Sequence, residues 1–238
     1  MKKSIYALII LLVLVIGILI GIQITNIQKP AKTDINEKQL IITIPGVDSN
    51  GKGIAGTMTT TIKKGSGLIL VNINDVLPGF DTQDSARIAA HVASNYTNVS
   101  LNELDIIYSI KTAAAMVSGN SAGSAFAVST IALLENKTIN SSVTITGTIE
   151  SDSTIGSIGA VLEKAAASKT AKMKLMLIPK GNLDGKTERE KTCINSDKTQ
   201  YCEIKYIKKI NETEFGIQLK EVSDISEALK YFYNEEEK

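Results

Sequence analysis

The residues most able to do chemistry in this chain surround a serine held between two glycines. Gly119-Asn120-Ser121-Ala122-Gly123 fits G-x-S-x-G, a frame that sets a serine on a tight turn feeding a helix. Glycines there permit backbone angles that a side chain forbids and clear space for a substrate. The helix start directs free N–H groups, and a partial positive charge, to where an oxyanion would form. A small-residue turn ahead of a buried helix would carry the same letters. A phosphate-cradling loop fits less well, because no Lys-Ser or Lys-Thr follows at P-loop spacing.

A serine nucleophile needs a base, and the histidine inventory is short. The only histidine, His91, lies thirty residues before Ser121 on an Ala-rich helical segment. An α/β-hydrolase requires its histidine after the serine, so His91 reads as a helix-surface residue. The remaining candidates are Lys, Asp and Glu. A lysine must be neutral to act, and with an ordinary pKa near 10.4 only roughly 0.4% is neutral at pH 8. Burial against apolar neighbours lowers that pKa by up to about 3–5 units. Lys164 is the lysine set for this, with Ala160, Val161, Ala167 and Ser168 at its i±3 and i±4 positions. No carboxylate shares that face, since Glu163 points about 100° away. Lys169 has Lys172 on its face and reads as solvent-exposed. A lysine snorkelling at a helix edge would give the same pattern around Lys164.

Alternating elements must position these groups. Strands are predicted at Leu40–Ile44, Thr57–Ile62, Leu68–Ile73, Asp105–Ile110, Val143–Ile149 and Lys174–Ile178. The first three read as a meander. Helices are predicted at Asp81–Ser94, with Ala86, Ala89, Ala90 and Ala93 on one face, and at Ser121–Leu134, apolar nearly all round and hence buried. Two more fall at Ala160–Ala171 and at Ser223–Tyr233, the last with an Asp224…Glu227 capping pair. The fold class is α/β (or α+β), a mixed sheet with packed helices.

Residues 5–22 form an uncharged apolar run behind Lys2 and Lys3, spanning roughly 27 Å as a helix. No A-x-A pattern closes it, so it reads as an uncleaved transmembrane anchor, with a cleaved signal sequence as the alternative. Residues 23–38 are polar, contain Pro30, and read as a linker. Residues 39–238 form one domain. A short amino tail usually stays inside, which places this domain outside the cytoplasm as part of a single-pass cell-membrane protein. Cys193 and Cys202 fit a disulfide-closed hairpin in an oxidising compartment, or two unrelated thiols. Five glycosylation sequons, at Asn95, Asn98, Asn136, Asn140 and Asn211, lend mild support. A net charge of +1 argues against nucleic-acid binding. One histidine and two cysteines leave no zinc site needing two or three imidazoles or four thiolates. No metal or nucleotide cofactor is expected.

Taken together, these residues resemble the proteolytic domain of the Lon family. Ser118-Gly119-Asn120-Ser121-Ala122-Gly123 resembles that family's D-G-P-S-A-G. Ile155 to Ala167 (IGSIGAVLEKAAA) resembles G-x-V-L-x-I-G-G-x-x-E-K-x-x-A-A, and the forty-three residues from Ser121 to Lys164 match the family's spacing. Ile145-Thr146-Gly147-Thr148-Ile149 is similar to M-T-G-E-I, Leu177 to Asn182 to V-x-I-P-x-x-N, and Gln83 to Ala89 to the helix reading E-S-A-x-x-A. The resemblance implies a Ser121–Lys164 dyad without histidine, with Thr146 supporting the lysine and oxyanion donors near Asn120 and Ser121. Three positions depart from the pattern: Ser118 and Thr148 replace acids, and Asn120 precedes the nucleophile. Residues 183–221, with both cysteines, look inserted or diverged.

No ATPase module is present, so the chain resembles a stand-alone, membrane-tethered relative of a kind predicted in archaea. The activity implied is an ATP-independent serine endopeptidase acting on unfolded or flexible polypeptides at the membrane surface. Family members often form six-membered rings, which implies a homo-oligomer. Two other readings are compatible with the sequence. One is a catalytically idle Lon-like binding or assembly module, motivated by Ser118 and Asn120. The other is a dedicated protease that processes itself or one partner.

Overall fold

The computed structural model describes residues 37–114, 116–182, 187–196, 199–208 and 216–233, together with Leu11, Leu12 and Leu14. Those three leucines are helical. The rest of the expected anchor and the 23–36 part of the expected linker lie outside the described residues. Among the described residues no helix is long and apolar enough to cross a membrane.

The first sheet runs β1 (Lys38–Val47), β2 (Gly53–Lys64), β5 (Leu104–Lys111) and β3 (Ile69–Asn72), in the order β1-β2-β5-β3. The expected meander does not form. β2 pairs antiparallel with β5, and β3 lies parallel to β5 at the sheet edge. The reason is burial. β5 alternates strictly, with Leu104, Ile106, Tyr108 and Ile110 buried, so it belongs in the interior of the sheet. β3 has four residues, none fully buried, and an edge tolerates it.

Next come β4 (Leu77–Pro78), helix α1 (Phe80–Thr97) and β6 (Met116–Val117), with β4 and β6 paired in parallel. A 3-10 turn, Asn120–Ala122, leads directly into α2 (Gly123–Leu134). All twelve residues of α2 are buried, as its uniformly apolar and small composition requires. Ala86, Ala89, Ala90 and Ala93 of α1 are fully buried, and such small side chains let two helices approach closely. Buried hydroxyls tie α2 to the first sheet: Thr60 Oγ1 with Ser129 Oγ at 2.7 Å, and Tyr108 OH with Thr130 Oγ1 at 2.6 Å. These four buried hydroxyls are thereby satisfied.

The second sheet is wholly parallel, in the order β13 (Gln218–Val222), β10 (Leu175–Pro179), β7 (Val143–Ile145). Between β7 and β10 the chain forms the β8 (Thr148–Ile149) and β9 (Ile155–Gly156) hairpin, then α3 (Val161–Thr170). The continuous strand expected at Val143–Ile149 is broken at Thr146–Gly147. There Thr146 N makes the last rung of the ladder, to Leu177 O (3.1 Å), and Gly147 N turns away to Ser121 O (2.9 Å). α3 shares a second, smaller core with this sheet through Val161, Ala165, Met176, Ile178 and Leu219. A closing helix, α4 (Ile225–Phe232), has Asp224 at its start accepting the Glu227 N–H, while Glu227 accepts the Ser223 N–H. Among the described residues the domain is thus a mixed α/β fold with a four-stranded sheet, a three-stranded sheet, three two-stranded pairings and four α-helices. β11 (Thr187–Ser196) and β12 (Thr199–Lys208) form a separate antiparallel hairpin in which Cys193 stands opposite Cys202, and Cys193 is disulfide-bonded.

Candidate active site

Parallel sheets present their loops for chemistry at the carboxyl ends of the strands. Thr146 follows β7 directly, and Asn182 lies three residues beyond Pro179 at the end of β10. Between them, in space, α3 brings Lys164 inward.

Lys164 is 5% exposed. Its Nζ donates to Thr146 Oγ1 at 3.2 Å, and Thr146 Oγ1 donates in turn to the carbonyl of Ser121 at 3.2 Å. Burial alone lowers the Lys164 ammonium from 10.5 to about 8. No ion pair among the described residues includes it, since those found are Arg87–Asp84 and Lys137–Glu135. Half of this amine is therefore neutral near pH 8, about a hundredfold more than an ordinary lysine provides.

The backbone around Lys164 accounts for its placement. α3 starts at Ala160, a left-handed residue with φ 56° and ψ 41°. Ahead of it, the Asn182 amide clamps Ile158, donating to Ile158 O at 2.6 Å and accepting from Ile158 N at 3.2 Å. β2 packs against the same helix at Gly53, where any Cβ would collide with the Glu163 carbonyl.

The two glycines of the serine frame do different work. Gly119 has φ 106° and ψ 146°, a conformation open to glycine and strained for other residues. Gly123 is helical, and a Cβ there would lie 2.8 Å from Ile149 Cγ2 and 2.9 Å from Ile149 N. It permits close contact between the α2 start and β8. Two straps complete the join: Gly147 N donates to Ser121 O at 2.9 Å, and Ser124 N donates to Gly147 O at 3.0 Å. Ser121 is half-buried, and its hydroxyl makes no hydrogen bond among the described residues. The link between Ser121 and Lys164 runs through Thr146 and the Ser121 carbonyl rather than directly from hydroxyl to amine. Asn120 is exposed, and its carbonyl accepts from Ser85 Oγ at 3.4 Å.

His91 is exposed on α1. Cys193 lies on the β11–β12 hairpin. Among the described residues no cluster of three or more His, Cys, Asp or Glu is placed to hold a metal. Three side chains that sequence reasoning left without a role also touch the serine turn: Asp81, Thr82 and Ser85 of α1. Ser85 falls within the motif at Gln83–Ala89, but nothing in the letters ties that helix to the turn.

The serine residue is thus joined, by its carbonyl and through Thr146, to a desolvated amine. A family model of the Lon protease (S16) C-terminal proteolytic domain matches residues 55–213. The match covers more than half of the chain, and the chain belongs to this family of serine peptidases. It begins inside β2 and extends past the disulfide-bonded hairpin. No curated protein matches the chain.

Proposed function

We propose that this chain is a serine endopeptidase in which Ser121 is the nucleophile and Lys164 the general base. The observation that carries this reading is Lys164 itself. A lysine nearly excluded from water, with no carboxylate partner, is costly to keep unless the neutral amine is used. Its one side-chain hydrogen bond leads through Thr146 to the nucleophile's own residue.

In the proposed cycle, neutral Lys164 takes the Ser121 proton as Oγ bonds to a peptide carbonyl carbon. The oxyanion that forms is held by the N–H groups of Asn120 and Ser121. The C–N bond then breaks, and Lys164 delivers the proton to the departing amine. Water next attacks the ester with Lys164 accepting its proton, and the acid departs as Ser121 regains its hydrogen. Nζ must swing from Thr146 toward Oγ, and catalytic hydrogen bonds often tighten only when substrate binds. Leu77 and Phe80, 53% and 85% exposed, border the Ser118–Ser121 turn through β4 and offer apolar surface to an extended chain.

The reading extends to ATP-independent cleavage of unfolded or flexible polypeptides at a membrane surface, outside the cytoplasm. The apolar run 5–22, the lack of a G-x-x-x-x-G-K-[ST] loop, and the disulfide-bonded Cys193 support it. The test uses the full chain in mild detergent with unfolded casein, without ATP, between pH 7 and 9.5. Fragments should appear with wild type, increase with pH, and vanish with Ser121→Ala and Lys164→Ala. An inactive wild type at every pH would sink the reading as an endopeptidase of unfolded polypeptides, in favour of an idle module or a protease dedicated to itself or one partner.

A further inference from the structure

Three neighbouring residues of α1 grip three successive residues of the serine turn. The Asp81 carboxylate accepts from Ser118 Oγ, 3.3 Å to each oxygen. Thr82 Oγ1 donates to Gly119 O at 3.2 Å. Ser85 Oγ donates to Asn120 O at 3.4 Å. Thr82 and Ser85 are buried, at 0% and 4% exposure, and their spacing sets both on one helix face.

These hydroxyls differ from four others in the described helices. Helical Ser and Thr commonly bond back to a carbonyl one turn earlier on their own helix. Thr97, Thr130, Ser168 and Thr170 all do so, at 2.7–2.9 Å. Thr82 and Ser85 instead reach across to another segment. Their acceptors are the carbonyls on either side of the residue preceding the nucleophile.

A peptide unit is planar, so its C=O and the next N–H point in opposite directions. Fixing Gly119 O against α1 fixes the Asn120 N–H away from α1. Fixing Asn120 O does the same for the Ser121 N–H. These are the first two amides of the 3-10 turn, which lack intrahelical partners. Gly119, the one residue here with a positive φ, would otherwise leave the first plane free to rotate.

We infer that Thr82 and Ser85, with Asp81 steadying Ser118, are positioning residues that orient the Asn120 and Ser121 amides toward the transition state. This rests on the peptidase reading of Ser121 and adds to it a function for α1. Oxyanion donors act through fixed orientation, so loosening them slows chemistry while leaving substrate binding largely unchanged.

The test measures kcat and KM of the full chain on a fluorogenic peptide for wild type, Thr82→Val, Thr82→Ser and Ser85→Ala. Inhibition by a peptide aldehyde, whose Ser121 adduct places its oxygen where the oxyanion forms, is measured beside it. Thr82→Val keeps the shape and removes the donor. It should lower kcat by about tenfold or more and weaken the aldehyde by a similar factor, with KM within about twofold. Thr82→Ser, which restores the donor, should recover most of both. Ser85→Ala gives an independent reading if Thr82→Val does not fold. An active wild type with Thr82→Val and Ser85→Ala unchanged in kcat overturns this inference and leaves the peptidase reading standing. A loss in Thr82→Val that Thr82→Ser fails to restore also overturns it. A wild type that cleaves nothing overturns both.

Discussion

Replacing Lys164 by methionine should make the protein more stable and inactive at once. Methionine keeps the length of the side chain and removes the charge. In the folded protein the ammonium titrates near 8, against an ordinary value of 10.5. Each pH unit of that difference is worth about 1.4 kcal/mol, so keeping Lys164 protonated in the fold costs about 3 kcal/mol. Thr146 would lose a donor but would still bond the Ser121 carbonyl, so no orphaned hydroxyl offsets the gain. The sign with pH is fixed by proton counts. Below pH 8 both folded and unfolded chains hold the proton, and the full cost applies. Between 8 and 10.5 the unfolded chain binds more protons, so wild-type stability rises with pH. Above 10.5 both are neutral and the cost is gone. The stability gap between Lys164→Met and wild type should therefore be largest below pH 8 and shrink by about 3 kcal/mol by pH 10.5. Urea denaturation followed by circular dichroism at several pH values measures it, and the other lysines cancel in the difference. Wild-type activity should track the same group, rising about tenfold from pH 7 to 9 as the neutral fraction grows. A gap that stays constant from pH 7 to 10.5 would refute the desolvated-lysine account.

Three further outcomes follow from particular contacts. Gly53→Ala should drive β2 from the Glu163 carbonyl and displace α3, lowering stability by about 2 kcal/mol and activity with it, as read by thermal unfolding and casein cleavage. Ser124 Oγ is fully buried with no hydrogen-bond partner, so Ser124→Ala should stabilise the fold by about 1 kcal/mol in urea denaturation. Phe80→Ser should raise KM for unfolded polypeptides severalfold with kcat unchanged, because the exposed ring would contribute binding shared by ground and transition states.

Much of this protein was legible in its letters because local physics decided it. The apolar and small-residue run Ser121–Leu134 read as a buried helix, found at Gly123–Leu134, and Asp105–Ile110 read as a strand, found at Leu104–Lys111. Lys164 stood out because its helical neighbours are small or apolar, a property of 3.6-residue periodicity alone. The motifs around Ser121, Thr146, Lys164 and Asn182 carried the family because their order and spacing are linear features. What the sequence left open depends on partners far apart along the chain. Which strand lies beside β2 was settled by the burial that β5 demands, not by the order of strands. The break of the β7–β8 segment at Thr146–Gly147 comes where the Gly147 amide leaves the sheet for Ser121, a partner invisible to local pattern. The grip of Thr82 and Ser85 on the serine turn joins residues 37 and 35 positions apart, and their letters would equally suit helical hydroxyls bonded to their own backbone. Residue types and periodicity specify which groups can do chemistry. Only long-range packing decides which carbonyl each hydroxyl meets, and so which way the amides beside Ser121 face.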